Sequence, residues 1–77
     1  MEVLSLTDLQ LNEIAEIQSI ENTDLAVKLI SLGFHPGDKI CIQRKGLFGD
    51  PLIIKSNNGI YSVRKEEALN IKVIKAA

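Results

Sequence analysis

Cysteine is all but missing: Cys41 stands alone in 77 residues, so no internal disulfide can staple the fold and nothing points to an oxidising compartment. Tryptophan is absent and the only rings are Phe34, Phe48 and Tyr61, too few and too scattered to stack single-stranded bases. Long apolar runs are missing as well. Leu52-Ile53-Ile54 is far short of a membrane span, and Met1 to Gln10 carries acids where a signal peptide would be basic and then apolar. A cytoplasmic protein with no bilayer insertion is expected. Histidine occurs once, and His35, Asp38 and Cys41 at three-residue intervals make too thin a set for zinc, so no metal or cofactor is expected. There is no Walker loop, no dinucleotide fingerprint and no HExxH. Cys41 and His35 lack a third catalytic group, and nothing near Cys41 in sequence clearly activates its thiol, so neither nucleophilic nor redox catalysis is expected.

What remains is aliphatic. Eleven Ile and four Val against five Ala tilt the core toward sheet, because β-branched side chains pack well on a pleated surface. A chain of this length buries roughly 60% of its unfolded surface, enough for one small core, and residues 1–77 read as a single domain. Glu13 to Ile20 reads as a strand with Ile14 and Ile20 in phase and room for a bulge. Thr23-Asp24 offers an N-cap and a first-turn acid for a helix with Leu25, Ala26, Leu29, Ile30 and Leu32 on one stripe. Gly33 then suits a left-handed stop with Phe34 packing back on Leu29, and Pro36-Gly37 turns the chain.

From there the period is two. Lys39 to Lys45, Leu52 to Lys55 and Ile60 to Lys65 read as a three-stranded meander, joined by Gly46 to Pro51 and by the hairpin residues Asn57-Asn58-Gly59. Glu66 to Asn70 can form one helical turn before a last strand, Ile71 to Ile74. The expectation is mainly β: a small barrel of about five strands with one inserted helix, closed to leave no sheet edge, and with frayed ends at Met1-Glu2 and Lys75 to Ala77.

A net charge of −1 conceals an asymmetry. Residues 1–38 balance at −6 and residues 39–77 at +5, which means either two halves neutralising one another or a basic face on strands bearing Arg44, Lys45, Lys55, Arg64 and Lys65. With a pI near 5.7, nucleic acid is not the expected partner. The connection Gly46-Leu47-Phe48-Gly49 carries two bulky apolar residues where loops are normally polar. Either they cap the open end of the core, or they form an apolar anchor rimmed by Arg44 and Lys45 for a partner or for self-association.

Four segments in order then resemble one family: Leu29-Ile30-Ser31-Leu32-Gly33-Phe34-His35-Pro36-Gly37-Asp38, Phe48-Gly49-Asp50-Pro51-Leu52, Ser62-Val63-Arg64-Lys65-Glu66-Glu67-Ala68 and Ile71-Lys72-Val73. The likeness is to the FeoA family and spans nearly the whole chain. It implies a small cytosolic SH3-like barrel that assists ferrous-iron uptake through contact with the membrane transporter FeoB, whose cytosolic part carries a GTPase domain. The same domain ends DtxR-type repressors, so the alternative implied is a stand-alone metal-responsive regulatory module. Two positions depart from the pattern: Leu11-Asn12 stands where the family has Pro-Gly, with Asn12 able to take a left-handed turn, and Val27-Lys28 replaces a basic pair, leaving Lys28 as the one helix charge for a partner. Gly33, Pro36, Gly37, Gly49, Asp50, Pro51 and Gly59 are expected to serve turns and caps.

Overall fold

The computed structural model describes residues 2–76. Six strands form one antiparallel sheet: β1 (Val3–Ser5), β2 (Ile14–Ile20), β3 (Lys39–Lys45), β4 (Leu52–Ser56), β5 (Gly59–Val63) and β6 (Ile71–Lys75). Their order is β1-β6-β2-β3-β4-β5, with helix α1 (Thr23–Ser31) after β2 and the short α2 (Lys65–Ala68) before β6. The fold is therefore mainly β, as expected, with one strand more than the pattern showed. Val3-Leu4-Ser5 is too short to display a period, and β6 recruits it as a partner. No ladder joins β1 to β5 among the described residues, so the sheet curls over its core but keeps two edges.

The core is one aliphatic cluster around Phe34, with Leu6, Leu9, Ile17, Ile40, Ile42, Ile54, Val63, Ile71 and Val73 almost completely enclosed. In β2 the inward residues are Ala15 and Ile17, and Ile14 faces out opposite Cys41, contrary to the phase taken from Ile14 and Ile20. Ala15 gives too weak an apolar signal to reveal that phase, and a bulge between Ile17 and Ser19 shifts it again.

Helix α1 starts one residue earlier than Thr23 suggested. Asn22 is the N-cap, its side chain accepting from the Leu25 N–H at 2.9 Å. Leu25 and Leu29 are buried, but Ile30 and Leu32, expected on the same stripe, are exposed. A helix of this size can press only a narrow band on so small a core. Its stop follows the expected form: Phe34 N–H donates to the Leu29 carbonyl, Gly33 N–H to the Ile30 carbonyl, and Gly33 has φ +93°. The last two carbonyls are used by the β4–β5 hairpin, with Tyr61 Oη donating to Leu32 and Asn58 Nδ2 to Gly33.

Asn12 takes φ 65° and donates its N–H to the Ile42 carbonyl, Pro36-Gly37 bends the chain into β3, and Gly59 opens β5 with a positive φ. The C-terminal end is less frayed than expected. Lys75 belongs to β6, pairs in register with Ala15 and meets Glu13 at 3.1 Å, while Ala76 N–H donates to the Ile14 carbonyl. Met1 and Ala77, also expected to fray, lie outside the described residues. No helix is long and apolar enough to cross a membrane among the described residues.

Candidate functional site: the β3–β4 tip and its basic rim

The Gly46–Pro51 connection does not fold back onto the core. Leu47 is 79% exposed and Phe48 89%, the two most exposed large apolar side chains of the described chain. The backbone beneath them is firmly tied. Gly46 N–H donates to the Pro51 carbonyl, Gly49 N–H to the Gly46 carbonyl and Asp50 N–H to the Leu47 carbonyl. Gly46 is required here because a Cβ would lie 2.5 Å from the Asp50 carbonyl oxygen. Asp50 is extended at φ −142°, as a residue before proline prefers, and its Oδ1 accepts from the Lys65 N–H at 3.0 Å. One carboxylate thus fastens the base of the tip to the start of α2. Phe48 itself sits in the left-handed region at φ 59°, a conformation that bulky residues avoid.

Arg44 and Lys45 end β3 immediately before this tip, so the sequence-derived set Leu47, Phe48, Arg44 and Lys45 shares one end of the β3–β4 hairpin. Lys28 is not part of it. Its Nζ reaches Glu67 of α2 at 3.3 Å beside a groove of about 490 Å³ that also holds Asp24 and Glu66. That groove is lined mainly by polar and charged side chains, and its one apolar lining residue, Leu25, is buried in the core.

Charge is distributed less evenly than the net value suggests. Glu13 meets Lys75, Glu21 meets Lys72 and Glu67 meets Lys28, so the two halves of the chain do neutralise one another along β2, β6 and the helices. Asp8, Asp38 and Asp50 are occupied with the backbone N–H groups of Ser5, His35 and Lys65. The remaining bases, Lys39, Arg44, Lys45, Lys55, Arg64 and Lys65, have no carboxylate within 4 Å among the described residues. All six lie between β3 and α2, and that distribution needed the three-dimensional pairing to be seen.

His35 and Asp38 come together, with Nδ1 and Oδ2 3.4 Å apart, but Cys41 lies within β3, in register with Ile14 of β2 and Lys55 of β4. Among the described residues no three His, Cys, Asp or Glu side chains converge.

The FeoA domain model matches residues 4–75. The chain belongs to the FeoA family. Two solved FeoA structures carry the same fold. The solution structure of FeoA from Chlorobium tepidum is 28% identical with a TM-score of 0.89, the match covering 96% of this chain and 71% of that one. The zinc-complexed FeoA of Stenotrophomonas maltophilia, a prokaryotic SH3 domain protein with a suggested role as a ferrous iron transport activating factor, is 28% identical with a TM-score of 0.79, over 92% and 89% of the two chains. A manganese-dependent transcriptional repressor shares the fold at a TM-score of 0.83 and 11% identity; this chain spans 38% of its length. A search of the curated proteins finds no match. The FeoA assignment agrees with the segments that carried the resemblance, and the SH3-like architecture now rests on coordinates.

Proposed function

We propose that this FeoA-family chain is a non-enzymatic cytoplasmic accessory protein of ferrous iron uptake, acting by contact with the cytosolic part of a FeoB-type transporter through the β3–β4 tip. The observation that carries the tip assignment is the exposure of Leu47 and Phe48 on a loop whose backbone is already hydrogen-bonded. A preformed apolar anchor loses little ordering entropy on binding, and unpaired cations at its rim favour an acidic surround on the partner. Iron is the transporter's cargo in this reading, and the adapter holds none.

Recovery of the tagged chain with its membrane partner tests this. Leu47→Ser and Phe48→Ser should melt within about 0.5 kcal/mol of the parent, as surface changes do, and lose the transporter. Variants that fold normally and still recover it would remove the tip from the interface. The repressor-like fold supports a second reading, a metal-responsive regulatory module, and recovery of a soluble repressor instead of a transporter would favour it.

A further inference from the structure

The sheet's register builds a second surface on the side facing away from the core. Ile14 pairs with Cys41, Cys41 with Lys55 and Lys55 with Ile60, so four neighbouring strands contribute one outward row. Its ends are apolar and solvated, Ile14 being 54% and Ile60 60% exposed, and Cys41 is half-buried between them. A bulge between Ile42 and Arg44 then sets Arg44 opposite Ile53 in the adjoining row. A shallow groove of about 320 Å³ covers the Ile14–Cys41–Lys55 part of the first row, with Lys39 beside it, and Ile60 lies in an adjoining depression with Arg44 and Ile53.

The charge on this face is predominantly positive, with Glu16, beside Ile14 on β2, its one carboxylate among the described residues. Lys39, Arg44 and Lys55 have no ion-pair partner among the described residues, and Glu16, opposite Lys39 in the ladder, lies beyond ion-pair distance. Exposed isoleucines gain by leaving water and unpaired cations gain by meeting carboxylates, so one occupant must supply both. We infer that this face is a docking groove for an acidic polypeptide segment with two apolar anchors roughly 14 Å apart, the span of three inter-strand spacings, and carboxylates between and beside them. Nucleic acid fits less well, since no ring lines the groove and a phosphate backbone would leave Ile14 and Ile60 in water. A second copy of this chain fits less well too, because six of its ten carboxylates are already held by its own lysines or N–H groups. This surface is distinct from the tip and goes beyond the adapter reading.

The test is an NMR titration of the isotope-labelled chain with a short synthetic peptide of Leu and Glu. Saturable shifts should map to Ile14, Cys41, Lys55 and Ile60, and replacing every Glu of the peptide by Gln should weaken binding at least about tenfold. K39E/K55E, shown to fold by its own spectrum, should abolish the response, whereas L47S/F48S should leave it intact. Equal binding of the Gln peptide, shifts confined to the tip, or the same shifts from single-stranded DNA or phosphatidylserine vesicles would each overturn the proposal. So would dilution-dependent shifts on this face without peptide, which would assign it to a second copy.

Discussion

Phe48 combines two unfavourable circumstances at a single residue. A left-handed backbone costs a bulky residue about 1–2 kcal/mol relative to glycine, and at 89% exposure the ring recovers almost nothing by burial. Asparagine tolerates that region. Phe48→Asn should therefore raise stability to chemical denaturation by roughly 0.5–1 kcal/mol while abolishing partner recovery, and a clear loss of stability would show that the ring supports the fold. Gain in stability with loss of contact is the signature of strain retained for use. That Phe48 stood out was legible from its glycine flanks alone. Which side it faced was not, because capping the core and greeting a partner place the same demand on composition.

At the scale of elements, α2 is the piece least able to stand alone. Four residues cannot sustain a helix in water, and contacts beyond its own ladder hold it: Asp50 accepts from Lys65 N–H and Ser5 Oγ donates to the Ala68 carbonyl, while Glu67 caps the helix from within by accepting from Arg64 N–H. Asp50→Ala should cost about 1–2 kcal/mol, as loss of a helix cap does, and should speed amide exchange at Gly49 and Asp50 together with Lys65. Exchange confined to α2 would show that the tip is held without it. The β2–β6 seam carries one acid-sensitive contact. The Gln10 N–H, and then the Lys75 ammonium, hold the Glu13 carboxyl below its ordinary value of 4.5. A carboxyl depressed in the folded state stabilises fully above its unfolded pKa and loses that contribution as pH falls through the folded one. Glu13→Gln should consequently flatten the fall in melting temperature below about pH 5, and an unaltered acid limb would place the sensitivity elsewhere. Strong local punctuation, such as Gly33 before Phe34, made α1's end and the meander readable. Strand β1 and the bulge in β2 were not, since both arise from pairing with β6, far away in sequence.

For the molecule as a whole, the same distinction governs the surfaces. The tip is contiguous in sequence and could be found there, whereas the outward row joins Ile14 to Ile60 through two intervening strands and exists only in the register. Charge behaves likewise. Counting acids and bases by halves detected the imbalance, and only coordinates separated the lysines consumed on β6 from the cations left over on β3 to α2.

The pairing of the first strand with the last has a kinetic consequence. Val3 lies opposite Ile74, so this ladder closes a loop of nearly the whole chain, whereas the β3–β4–β5 meander needs only short connections. The meander should thus form early and β1, with the buried Leu6 behind it, should dock last. A circular permutant that links the two ends and opens the chain at Asn57-Asn58 reverses this order of closure. It should refold through a transition state in which β1 and β6 are already joined, seen as a rise in the φ-value of Leu4→Ala from near zero toward one. An unchanged value would mean that β1 docks late for reasons other than the distance it must travel.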